Sequence, residues 1–291
     1  MALSLNKPKL DNLTNLGRHV PEELHNLLVS AFAVIDDRCV DELLAFAAQL
    51  YELAYATRLK DRTPEDNRPE HELVVLRNTL RISWRSGAER DSGLPFDRSE
   101  LRVAVASALL HDLRFIPRIQ EEAIKEAEDR GDLAQARELR DGKAGQRAEH
   151  LRGSAEDALN LICSVPGLMT DAETRQCVGY IGLHDLWKLG WPYPAGSDWL
   201  AVCCFEGDAL WPLDPAFGPL ADLERKGLWK PSFDQLRAQA KSNLDTQLRA
   251  FRASFAATAE RFQDSETVIR TTEGARMLQE LRAYWGISTT P

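Results

Sequence analysis

Four of the six histidines in this 291-residue chain fall in a series with two aspartates: His71, His111-Asp112, His150, His184 and Asp208. Each stands at a helix end or interrupts an apolar helical run. Neutral imidazole and carboxylate are ligands for Fe, Mn, Ni, Co or Zn. Four imidazoles and two carboxylates suffice for two divalent transition metals when one carboxylate bridges. The adjacent pair His111-Asp112 is the most telling, because it ends the apolar run VAVASALL (103–110). Neighbours on a helix point ~100° apart, so both side chains reach one point only where the helix ends. Burying them unpaired is expensive. Metal coordination offsets that cost; a salt bridge or hydrogen-bond network is the alternative. Taken singly, His71, His150 and Asp208 read as hydrogen-bonded core or helix-end residues. Taken together and in order, they read as ligands.

Helical periodicity dominates the elements that must position these residues, and no convincing period-2 strand occurs. Apolar-faced helices are expected over 21–33, with Pro21 in the first turn, and over 40–57. After the polar loop 58–68, Asn67, Pro69 and Glu70 read as N-cap, early-turn Pro and capping-box Glu, opening a helix to about Arg85. His71 then sits in a first turn. The helix 98–114 is the expected buried centre. Residues 119–141 are charged throughout and read as a solvent-exposed excursion or a lid. Further helices are expected at about 147–164, opened by His150, and at 171–185, ended by His184. Others follow at 198–210, around Asp208, and at 231–262 and 272–285. The reading is an all-α protein in a single domain, 1–291, with no visible linker and no repeat.

Bulk composition narrows the function. The charge balance, 36 Lys+Arg against 45 Asp+Glu for a net −9, argues against a broad nucleic-acid surface, which needs a basic excess. It leaves room for an anionic substrate, because two divalent cations supply local positive charge. No apolar run reaches membrane-spanning length, and the N-terminal residues lack the pattern of a secretory signal. The five cysteines contain no CxxC pair, so a disulfide framework or a cysteine-rich zinc site is not expected and a reducing cytoplasm is. Phosphate-cradling GxxxxGK[ST] and GxGxxG loops are absent.

The ordered series resembles the HD-domain superfamily of metal-dependent phosphohydrolases, whose pattern is a His, an apolar helix ending in His-Asp, and a later helical Asp. Here these are His71 in HELVVLRNTL, His111-Asp112 in ASALLHDLR and Asp208 in FEGDALW. The two intervening histidines, His150 in AEHLRGSAEDALNLI and His184 in GYIGLHDLW, match the binuclear branch. The resemblance covers about residues 66–212, with peripheral helices in 1–60 and 213–291 that would lid the pocket or form a homo-oligomer surface. It implies that His71, His111, Asp112 and Asp208 hold one metal. Asp112 would bridge to a second held by His150 and His184, with a bridging hydroxide as nucleophile. Asp112 and His150 would then be catalytic, with Asp185 orienting a neighbouring imidazole. Many members carry a Lys three residues after the HD Asp; here that place is Phe115, with Arg114 and Arg118 as nearby basic substitutes.

The expected activity is hydrolysis of a small phosphate ester or nucleotide. The same ligand set serves diiron oxygenases of this superfamily that cleave C–C or C–P bonds, so the ligands alone do not separate the two. A non-catalytic signalling or partner-binding HD module is the third reading, and the full ligand set argues against it. Candidate substrate contacts are Arg114, Arg118, Lys188 beside the Trp187/Trp191/Tyr193 group, and Lys241 and Arg249 on the C-terminal helix. Lys143, Arg147 and Arg152 are candidates for an anion-attracting rim. His19, His25 and the Cys203-Cys204 pair read as structural.

Overall fold

The computed structural model describes residues 20–35, 40–62, 68–89, 93–114, 121–185, 198–218, 221, 225 and 269–285. All regular structure among them is helical. The helices are α1 (Glu22–Ala31), α2 (Val40–Ala54), α3 (Glu70–Ser86), α4 (Arg98–Leu110), α5 (Glu121–Asp129), α6 (Leu133–Cys163), α7 (Asp171–Leu183), α8 (Trp199–Leu210) and α9 (Thr272–Trp285). A π-helical turn, Tyr55–Leu59, extends α2. The expected helix 231–262 lies outside the described residues.

The centre is the trio α3, α4 and α8. α3 packs on α8 and α4, while α1 and α9 cover α3, α2 and α7 flank α4, and α6 lies on α7. The sequence explains the trio directly. Leu73–Leu76 and Leu80 of α3, Val103–Ala106 and Ala108–Leu110 of α4, and all of 200–210 in α8 are buried. α8, apolar on every face, can only be central, and α3 and α4 turn wide apolar faces to the same core.

Local signals set the helix starts. Asp97 accepts from the Glu100 N–H at 2.9 Å and Glu100 returns the bond to the Asp97 N–H at 2.7 Å, so a capping box opens α4. Thr170 and Glu173 form another on α7. Buried Glu173 also takes Ser99 at 3.0 Å and Arg102 at 3.2 Å, which ties the start of α7 to α4. The expected box on α3 is not formed this way. Pro69 itself occupies the N-cap position with no side-chain cap bond, and the first backbone bond runs from His71 N–H to the Arg68 carbonyl. Asn67 lies outside the described residues.

α6 departs most from the expected bounds. It begins at Leu133 instead of about 147, so His150 sits in its second half and does not open it. Its two parts behave differently. Before residue 150 only Ala136 is buried; from His150 onward Leu151, Gly153, Ser154, Asp157, Ala158, Leu161 and Ile162 are. The charged stretch is a helical hairpin of α5 and the start of α6, turned at Gly131 (φ +75°), with Ile124, Ala127 and Ala136 at its seam. No helix among the described residues is long and apolar enough to cross a membrane.

Candidate metal centre

The packing of the helices brings all six residues of the series together, and every one is buried. His71 comes from the first turn of α3, His111 caps the C-terminus of α4, and Asp112 lies in the turn just beyond. His150 lies in α6, His184 caps α7, and Asp208 lies in the last turn of α8. The close crossing of α3 and α8 fixes the last of these. A Cβ on Gly207 would stand 2.9 Å from the Thr79 backbone nitrogen, so only glycine allows this approach. Asn78 Nδ2 donates to the Gly207 carbonyl at 3.2 Å.

The donor atoms form two groups around one carboxylate. His71 Nε2 lies 2.9 Å from His111 Nε2, and Asp208 Oδ1 lies 3.7 and 3.5 Å from these nitrogens. Asp112 Oδ2 faces this group, 3.3 Å from His71 Nε2. Asp112 Oδ1 faces the other, 2.9 Å from His150 Nε2 and 3.5 Å from His184 Nε2. Those two nitrogens are 3.3 Å apart. Donors each about 2.1 Å from one ion stand about 3.0 Å apart at octahedral angles and about 3.4 Å at tetrahedral ones. The observed separations are compatible with ligands around a shared cation.

The tautomers make the same point. A carbonyl oxygen only accepts, so His111 Nδ1–H donates to Ala108 O (2.9 Å), His150 Nδ1–H to Arg114 O (2.7 Å) and His184 Nδ1–H to Ile181 O (2.6 Å). In the neutral rings, Nε2 then carries a lone pair. The lone pairs of His150 and His184 face each other and a carboxylate oxygen, an arrangement that a cation between them would satisfy. Burial pushes the His111 imidazole down, but Asp112 and Asp208 outweigh it and lift its pKa to about 9. Burial likewise opposes ionisation of Asp112, yet His111 and His150 hold its carboxyl well below the usual range. Three buried sets, His71/His111/Asp208, His111/Asp112/His184 and His150/His184/Asp185, could each hold a metal ion.

Charged neighbours flank both groups. Asp185 is buried beside His184 and pairs with Arg147, one helical turn before His150. Glu72, fully buried beside His71, accepts from Arg62 at 2.5 Å. Burial raises the Glu72 carboxyl and Arg62 pulls it back. Arg62 also donates to the Asp112 main-chain carbonyl. Neither Arg62 nor Glu72 emerged from sequence reading. Arg62 is one charge in a polar loop; Glu72, a carboxylate inside a buried apolar helix, was the available signal. The Trp211 ring stands edge-on to His71 at 4.6 Å.

Among the candidate substrate contacts, the Arg114 guanidinium is engaged by Asp157 in a two-point pair at 3.0 and 2.6 Å, and Arg58 adds a bond to the same carboxylate at 3.1 Å. Arg114 enters the site through its main-chain carbonyl on His150. Phe115, Arg118, Trp187, Lys188, Trp191, Tyr193, Lys241 and Arg249 lie outside the described residues, as does His19. Arg152 is exposed, and Cys203 and Cys204 are core residues. No protein-family model matches the chain, and neither a curated protein nor a solved structure is significantly similar to it.

Proposed function

We propose that this protein is a metal-dependent phosphohydrolase of the HD-domain type, acting on a small phosphate ester or nucleotide. The observation that carries the reading is the Asp112 carboxylate, whose two oxygens face two separate imidazole groups. In this reading His71, His111, Asp208 and Asp112 Oδ2 would hold one divalent cation, and His150, His184 and Asp112 Oδ1 the second. Fe, Mn, Ni, Co and Zn all suit imidazole and carboxylate donors. Two such cations would lower the pKa of a water shared between them and neutralise phosphate oxygens.

The chain's own contribution is placement. Backbone carbonyls fix the imidazole tautomers, a device that also raises ligand basicity. Buried Asp185 pairs with Arg147 beside the His150 and His184 group, and in this reading the guanidinium would meet non-bridging oxygens of an anionic ester. The six donor residues are buried, and a low local dielectric strengthens each of these interactions.

The test is phosphate release from a panel of nucleotides and nitrophenyl phosphate with Mn, Co or Ni, using protein purified anaerobically. Metal-dependent release that disappears in folded His111→Ala is the expected result. Two irons per chain, with oxygen consumption on a polyol or phosphonate and no phosphate release from the panel, would replace this reading with the oxygenase one. A chain that binds no metal would sink both.

A further inference from the structure

We infer that Arg62 is a positioning residue for the carboxylate shared between the two imidazole groups; this rests on the metal-binding reading above. The Arg62 side chain is only 5% exposed, although it comes from a polar segment next to the π-helical turn after α2. Two of its guanidinium contacts reach elements far apart in sequence. One nitrogen donates to Glu72 Oε1 at 2.5 Å, and another donates to the main-chain carbonyl of Asp112. Glu72 directly follows His71, and Asp112 directly follows His111. One planar group therefore spans the first turn of α3 and the C-terminal turn of α4, the two backbones whose separation sets the 3.3 Å between His71 Nε2 and Asp112 Oδ2.

The chemistry of the contact suits arginine. The Asp112 carbonyl lies just past the C-terminus of α4, where helix carbonyls lack an intrahelical partner and the helix end is partially negative. A cation is favoured there, and Glu72 compensates its charge. Arginine presents donors in a rigid fork that reaches two acceptors at once; a lysine ammonium is a single point charge on a flexible stem. Glu72 belongs to none of the three candidate ligand sets. Its role is to hold Arg62, and through it the Asp112 main chain, in register with His71.

The test compares Mn(II) binding by wild type, Arg62→Met and Arg62→Lys, with helical content and thermal unfolding of the metal-free proteins measured in parallel. Calorimetry reads the affinities, and electron paramagnetic resonance reads the coupling between two Mn(II) ions that a shared carboxylate brings close. Loss of a residue that orients metal ligands weakens metal binding about 10- to 100-fold. That loss is expected in folded Arg62→Met, with the coupled signal replaced by that of isolated ions. Arg62→Lys is expected to recover part of the affinity. Arg62→Met that is folded and binds both ions as wild type does overturns the inference. If Arg62→Met does not fold, wild-type affinity and coupling in Arg62→Lys overturn it instead. A wild-type chain that binds no Mn(II) overturns the metal reading and this inference with it; binding by wild type that the variants match overturns this inference alone.

Discussion

The two halves of the candidate centre are built differently. His71, His111 and Asp208 come from α3, α4 and α8, the helices at the middle of the core, and their separation follows from helix packing, including the glycine-tight crossing at Thr79 and Gly207. His71 Nδ1 has no hydrogen-bond partner among the described residues, so its ring is held by its neighbours, including the Trp211 edge. His150 and His184 come from α6 and α7, nearer the surface. There both Nδ1 atoms are bonded to main-chain carbonyls, and the Arg147–Asp185 pair ties the two helices together. The core half relies mainly on packing, supplemented by the His111 Nδ1 bond to Ala108 and the Arg62 bridge, while the outer half has both rings bonded and a charge pair between its helices. Asp112 belongs to both.

That difference is open to test. The largest expected effect is selectivity between ligands: His71→Ala should lose the cation of the core half and retain one at His150 and His184, and His150→Ala should do the reverse. Metal analysis after dialysis distinguishes them; if either variant loses both cations or neither, the halves are not separate. Next is Gly207→Ala. The added methyl meets the α3 backbone, and overpacking of this kind costs about 1–3 kcal/mol. Urea unfolding should register that loss, while cation affinity should fall in the core half only. Equal weakening of both halves would mean that the α3–α8 crossing does not act through Asp208.

Acid should produce the smallest and most graded effect. Burial disfavours the charge on Glu173, but its bonds from Thr170, Ser99 and Arg102 hold its carboxyl below the ordinary value of 4.5. Burial also opposes the charge on Asp157, and Arg114 and Arg58 hold that carboxyl below 3.8. A depressed carboxylate stabilises the fold above its ordinary pKa and loses that contribution as pH falls through the lower folded value. Both groups support the α6 and α7 side. Hydrogen exchange below pH 4.5 should therefore show α6 and α7 opening before α8, whose buried Glu206 is raised and not depressed. Uniform exchange across these three helices would erase the distinction between packed and bonded halves.

How far these features were legible depends on the range of the interactions behind them. Bounds such as 70–86 and 199–210 follow from apolar runs and were readable to within about two residues, although the cap expected for the first is not formed. The six-residue series was readable because imidazoles and carboxylates inside apolar helices demand partners. α6 was read short because its first half buries almost nothing. Only its partnership with α5, a tertiary fact, distinguishes that half from an exposed excursion. Arg62 and Glu72 meet across a loop, and Arg114 meets Asp157 across 43 positions. Such pairings are set by where helices pack, and no local pattern announces them. Arg114 illustrates the consequence: its place beside His111-Asp112 suggested an anion contact, while its guanidinium is engaged by Asp157 and its main chain orients His150.

The most direct test of the central claim is a count of tightly held divalent cations in the wild-type chain and in Asp112→Ala, by elemental analysis after metal loading and dialysis. Two per wild-type chain, with none retained by a folded Asp112→Ala, is the predicted result, because one carboxylate serves both imidazole groups. A wild-type chain that holds none, or an Asp112→Ala variant that still holds two, would contradict it.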